Sequence, residues 1–221
     1  MFWQAVGERR KALLKKLTAH MPVEDSYLAG GTALALQLGH RESHDFDWFT
    51  AKEFDPEKVA EKLSSVGEIS VSEMTRGSLH CLLEKTRVTW LFYPNPLLEP
   101  LLEVEEIPGL SLASLPDIGL MKWSALSCGG ARRDFIDLYY ICQEGYSLTD
   151  LYKLLPQKFP HAKINYYHMV KSLSYFADAE NDAAPRMHAS MSWQAVKEFF
   201  LQEQKKVYLL LSSPSFLPPL Y

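Results

Sequence analysis

Residues 28–49 read LAGGTALALQLGHRESHDFDWF. Leu28 and Ala29 lead into Gly30 and Gly31, then Thr32 and an apolar run to Leu38. The pattern predicts a short buried strand, a glycine turn, and a helix over Thr32–Leu38. Thr32 is the expected N-cap and Gly39 the expected C-terminal stop. His44–Thr50 then alternates Asp45, Asp47 and Phe49 with Phe46 and Trp48, which is strand periodicity. Strand residues two apart point the same way, with Cα atoms about 6.5–7 Å apart. Asp45 and Asp47 are therefore expected to present two carboxylates on one face.

Two such carboxylates repel unless a cation lies between them. Mg²⁺ takes oxygen ligands, commonly one or two carboxylates plus substrate phosphates. Glycines let a backbone approach phosphate closely, and a helix start offers N–H groups and a positive dipole end. The block reads as one site for a nucleoside triphosphate (NTP) and a metal. Taken singly, Asp-x-Asp also reads as the solvent face of an edge strand, and Gly-Gly as a turn. Two acids are unfavourable in a strand, and here they sit in one rich in Phe and Trp.

The remaining chain fits one large domain or two small ones, at 221 residues with 47% hydrophobic and 23% charged content. A net charge of −4 excludes a global basic field for nucleic acid. Arg9, Arg10, Lys11, Lys15 and Lys16, and separately Arg132 and Arg133, are local clusters that read as RNA-phosphate contacts or as solvated faces. Cys81, Cys128 and Cys142 lack metal-type spacing and read as reduced thiols. The opening MFWQAVGERRKALLKKL lacks a signal-type apolar stretch, and no window has the roughly 18 apolar residues of a spanning helix. A cytoplasmic location with no membrane partner is the expectation.

Periodicity predicts a helix over residues 3–19 and another from Asp55-Pro56 to about Ser65. GEISVSEMT, SLHCLLEK and RVTWLFYP read as three strands, with hairpin breaks at Arg76-Gly77 and Lys85-Thr86. NPLLEPLLEVEEIPGL is a Pro-broken connector with room for an edge strand. Ser114 is the expected cap of a helix running to about Ser127, with Asp117 in its first turn as a dipole-stabilising residue. Further helices are expected over Arg132–Gln143, 147–157, 163–179 and 191–211, before the irregular tail SSPSFLPPLY. The class is α+β, with a mixed or antiparallel sheet and flanking helices followed by an α-helical half. The expected parts are 1–110 and 111–221.

The pattern GG-T-A-L-x-L…R-x-S-x-D-x-D-x-F, carried here by Gly30 to Phe49, resembles the AbiEii/AbiGii-type toxin nucleotidyltransferases of the polymerase-beta-like superfamily. VTWLFYPNPLLEP, LPDIGLMKWSAL and GARRDFIDLYYI are similar to further motifs of that family, in the same order. The resemblance spans about residues 25–145. It implies a nucleotidyltransferase-like α/β core and a helical region that completes the site and the cleft. It further implies transfer of a nucleotidyl group from an NTP, with Mg²⁺, to an RNA (tRNA) or protein hydroxyl. The biological setting it implies is a type IV toxin–antitoxin or phage-defence pair, with a winged-helix antitoxin as partner.

By resemblance, Gly30, Gly31 and Thr32 contact the triphosphate. Asp45 and Asp47 hold Mg²⁺, and Arg41 and Ser43 reach phosphate or brace the aspartates. Lys122 neutralises phosphate charge or positions the nucleotide. Asp134 and Asp137 supply a base or orient Lys122. Read alone, Lys122 is a solvated lysine, and Asp134 and Asp137 are partners for Arg132, Arg133 or Arg41. Two positions depart from the family pattern. Thr89 stands where a third carboxylate is expected, with Glu84 as a substitute candidate, and Gly129 stands where relatives carry Arg. These departures keep open a second reading, a catalytically weak NTP-binding or partner-binding module of the same fold.

Overall fold

The computed structural model describes residues 1–211; the tail SSPSFLPPLY lies outside the described residues. The chain divides into two units, Met1–Ser114 and Leu115–Tyr221.

In the first unit, the helix expected over residues 3–19 is two pieces. A 3₁₀ turn covers Trp3–Ala5, and α1 covers Glu8–Ala19. Gly7, at φ 83°, separates them. The buried strand β1 (Tyr27–Ala29) runs directly into α2 (Gly30–Leu38). This helix begins two residues earlier than the sequence suggests, and Thr32 is not its cap. The residue before the helix is extended Ala29, which has no capping side chain. The Thr32 hydroxyl is used elsewhere, as described below. Gly39 ends α2 in the left-handed conformation, its N–H donating to the Ala35 carbonyl.

Strand β2 (Phe46–Thr50) starts just after Asp45. Helix α3 (Pro56–Ser64) is capped by Asp55, which accepts from the Glu57 N–H at 3.0 Å. Strands β3 (Ile69–Thr75), β4 (Ser78–Leu83) and β5 (Thr86–Phe92) form consecutive hairpins. The connector contributes β6 (Leu102–Glu103) and β7 (Ser111–Leu112). Among the described residues the strands make one seven-stranded sheet, in the order β3-β4-β5-β2-β1-β7-β6. Pairs β2·β5 and β1·β7 are parallel, and the others are antiparallel.

Period-two alternation sends Phe46, Trp48, Val88 and Trp90 to one face, and all four are buried. Trp48 and Trp90 stack with ring centroids 5.1 Å apart and planes 7° from parallel. Such a pair adds about 1 kcal/mol beyond its buried area. The Trp90 indole N–H donates to Ser26 Oγ at 3.0 Å, so this buried donor is satisfied.

The second hairpin turn is Glu84-Lys85, one residue earlier than expected, with φ of 49° and 61°. Two positive φ values are what a two-residue hairpin turn with the right twist demands, and neither residue is glycine. Lys85→Gly is therefore expected to stabilise the chain by about 0.5–1 kcal/mol. A higher denaturation midpoint at unchanged slope would show it.

The second unit is helical: α4 (Leu115–Ser127), α5 (Arg132–Gln143), α6 (Leu148–Lys158), α7 (Tyr166–Ser172), α8 (Ala177–Glu180) and α9 (Trp193–Leu211). The single helix expected over 163–179 is thus the pair α7 and α8. It starts late because Asn165 caps it, accepting from the His168 N–H at 3.0 Å. Phe135 anchors the core, ringed by Phe176, Trp193 and Phe200 at centroid distances of 5.1–5.9 Å. The Trp123 indole N–H donates to the Met169 carbonyl at 2.8 Å. Asp117 is more than a dipole partner for α4. It is fully buried and 2.6 Å from the equally buried Lys158 Nζ.

The three thiols are free and differ in environment. Burial pushes the Cys81 thiol up to about 11. Burial, with Glu203 nearby, pushes Cys142 up to about 12. At pH 8 roughly one Cys81 thiol in a thousand is ionised, and thiolate is the reactive form. A disulfide-exchange reagent on the folded protein should titrate the exposed Cys128 quickly and the other two slowly. All three should react alike in denaturant. No described helix is long and apolar enough to cross a membrane.

Candidate functional site

The first unit gathers seven residues of the 28–49 block around the start of α2. Gly30 has φ 65°, and a Cβ there would lie 2.7 Å from Asp47 Oδ2. A Cβ on Gly31 would overlap the Arg41 guanidinium and stand 3.3 Å from Ser43 Oγ. Gly30 needs glycine for its backbone conformation, and at Gly31 any side chain would force the Arg41 guanidinium to move. Thr32 Oγ1 is 2.8 Å from Ser43 Oγ and also hydrogen-bonds the Asp45 carbonyl. The Ser43 N–H donates to the Ala5 carbonyl at 2.9 Å, so the amino-terminal 3₁₀ turn braces the block. Arg41 is buried, and its Nη1 donates to the Glu42 carbonyl at 2.9 Å. The Ala5 brace leaves no mark in local periodicity, because it joins residues 38 positions apart.

Asp45 and Asp47 are both half-buried, Asp45 just before β2 and Asp47 within it. Asp47 pairs with Ala29 on β1 and with Thr89 on β5. Thr89 therefore takes the neighbouring place on the parallel strand. Thr89 pairs in turn with His80 on β4. Glu84 does not substitute for the missing carboxylate. It lies in the β4–β5 turn, three register pairs from His80↔Thr89, and its Oε1 accepts from the Glu68 N–H at 3.0 Å.

The second unit gathers Lys122, Asp134 and Asp137. Lys122 Nζ lies 2.7 Å from Asp134 Oδ1 and 2.8 Å from Asp137 Oδ2. Asp134 Oδ2 also accepts from the Ala131 N–H at 3.2 Å, which ties it to the start of α5. The Asp137 side chain is fully buried and that of Lys122 is 10% exposed. Lys122 is thus a shielded ammonium with two carboxylates on it, not a solvated lysine. Arg132 is engaged elsewhere, donating to the Ala179 and Glu180 carbonyls.

Among the described residues no group of three or more His, Cys, Asp and Glu is arranged to hold a metal ion. Mg²⁺ does not need such a cage. It commonly takes one or two carboxylates and completes its shell with water and substrate phosphate. Asp45 and Asp47, beside a glycine pair shaped for close approach, fit that requirement.

One family model matches most of the chain. The family model for the nucleotidyl transferase AbiEii toxin of type IV toxin–antitoxin systems matches residues 13–96 and 86–216. An uncharacterized protein of Aquifex aeolicus (strain VF5), aq_aa25, is 33% identical over 202 residues, covering 90% of this chain and 95% of that protein. The fold is similar to MenT4, the nucleotidyltransferase toxin Rv2826c of Mycobacterium tuberculosis H37Rv. The TM-score is 0.57 at 16% identity, covering 89% of this chain and 82% of that one. It is also similar to an H. pylori structure assigned as a nucleotidyltransferase. There the TM-score is 0.53 at 19% identity, covering 91% and 94% of the two chains. The mixed sheet with its helices agrees with these neighbours, and the matched residues make the chain a member of the AbiEii nucleotidyl transferase toxin family of type IV toxin–antitoxin systems.

Proposed function

We propose that the protein moves a nucleotidyl group from an NTP to a hydroxyl of an RNA, such as tRNA, or of a protein. In this reading it is the toxin of a cytoplasmic type IV or phage-defence pair, held in check by a winged-helix antitoxin. The observation that carries the reading is the packing of Asp47 and Arg41 against Gly30 and Gly31. That packing sets a carboxylate and a guanidinium at the backbone where a triphosphate would lie. Asp45 and Asp47 are the residues that would hold Mg²⁺, which when bound supplies charge neutralisation at the phosphates. Gly30, Gly31 and Thr32 give the triphosphate its backbone contacts, while Arg41 and Ser43 brace the aspartates and reach phosphate.

Lys122, Asp134 and Asp137 enter the proposal through the family motifs. The 2.7 and 2.8 Å contacts support a role for the two carboxylates in orienting Lys122, whose charge serves a phosphate. Thr89 beside Asp47 favours a second reading, an NTP binder with little turnover.

Incubation with each α-labelled NTP, Mg²⁺, total tRNA and lysate protein separates the readings. Label on RNA or on protein, absent with Asp45→Ala and with chelator, is expected and names the acceptor class. Tight NTP binding by calorimetry without transfer establishes the second reading. A chain that neither binds nor transfers any NTP refutes both.

A further inference from the structure

We propose that His80 is the base that takes the proton of the attacking hydroxyl, held in its working tautomer by Thr89. The inference rests on the transferase reading above. The sheet register sets Ala29, Asp47, Thr89 and His80 in one unbroken row across β1, β2, β5 and β4. Cross-strand partners project from the same face of a sheet. The alternate residues Trp48, Val88, Trp90, Leu79 and Cys81 are buried on the opposite face. Asp47 and His80 therefore share a face that is not occupied by that aromatic core, and both are half-buried.

Thr89 Oγ1 and His80 Nδ1 are 3.4 Å apart, and Thr89 is only 6% exposed. With Nδ1–H donating to Thr89 Oγ1, Nε2 keeps its lone pair and can accept a proton. Strand β5 itself offers no carboxylate between Thr86 and Phe92. Glu73, opposite His80 on β3, continues the row on the far side of the imidazole from Asp47. Two strand spacings put the Asp47 and His80 backbones roughly 10 Å apart. Asp47 and His80 thus flank Thr89, one on each neighbouring strand.

In the step, His80 Nε2 takes the hydroxyl proton as that oxygen bonds to the α-phosphorus. The bond from the α-phosphorus to the bridging oxygen breaks, and its electron pair leaves with pyrophosphate. The imidazolium then returns its proton to water. Thr89 is a positioning residue in this scheme, and His80 a catalytic one.

The test measures kcat, the NTP Kd and the unfolding midpoint for wild type, His80→Ala and His80→Gln. Glutamine can keep a hydrogen bond to Thr89 but cannot act as the base. Both variants are expected to lose about 10²-fold in kcat, with NTP Kd and midpoint unchanged, and added imidazole should restore part of the activity of His80→Ala. Retained kcat in His80→Ala, recovery in His80→Gln, or a Kd that weakens in step with kcat overturns the assignment. If Asp45→Ala is dead while His80→Ala is active, the base assignment fails and the transferase reading stands. If wild type transfers nothing, the transferase reading fails and takes the base assignment with it.

Discussion

Asp47→Asn is expected to lower nucleotidyl transfer by about 10³-fold, with the first unit still folded. The substitution is nearly isosteric, so the close fit of Oδ2 against Gly30 is kept in shape. What changes is charge: one of two half-buried carboxylates is lost, and with it half of the anionic field that would draw Mg²⁺ to the triphosphate. Electrostatic stabilisation aimed at developing charge is worth about 10²–10³ per group removed, and a metal-bearing group lies at the upper end. Label incorporation at saturating NTP measures the loss. The Mg²⁺ concentration needed for NTP binding should rise in parallel. A variant within about tenfold of wild type would remove Asp47 from the chemistry. Gly31→Ala is the steric counterpart, since its methyl would collide with the Arg41 guanidinium.

The second large effect lies away from that chemistry. Lys158→Met is expected to destabilise the second unit by about 3–5 kcal/mol. Lys158 Nζ and Asp117 Oδ1 are 2.6 Å apart, with both side chains fully buried. Removing the ammonium leaves the buried Asp117 carboxylate without that countercharge, and the cost of its desolvation is then less well offset. For a unit of this size the thermal midpoint should fall by more than about 10 °C. The double variant Asp117→Leu/Lys158→Met should regain most of the loss, because an apolar pair of similar volume is often as stable as a buried ion pair. A single variant that melts like wild type would show that the pair is not sealed from water.

Local chemistry made much of the fold legible. The strand–glycine–helix start, the Gly39 stop, the Asp55 cap, the three hairpin strands and the helix over Arg132–Gln143 are each written within a few residues, by period or by turn type. The corrections have a common cause. Thr32 has the chemistry of a cap, but a tertiary partner, Ser43, claims its hydroxyl. Asp117 sits where a dipole residue belongs, yet it answers to Lys158, 41 positions away. The Thr89–His80 pair depends on strand register, which no local pattern specifies. Among the candidate residues, the sequence placed Gly30 to Asp47 together because they are contiguous. Lys122 with Asp134 and Asp137 was reachable only through motif order, since nothing local says that a lysine on one helix meets two carboxylates on the next.

Strand β2 has a hydrogen-bonded neighbour on each side, β1 and β5, whereas β3 lies at the sheet edge. Amide exchange should follow that order. Protons on β2 should escape only when the whole unit opens, while those facing outward on β3 exchange by fraying. The strand that carries Asp47 is thus expected to be among the last parts of its unit to open. If the proposed function holds, its ordering entropy is settled when the chain folds, and nucleotide affinity would not be taxed by having to assemble the strand.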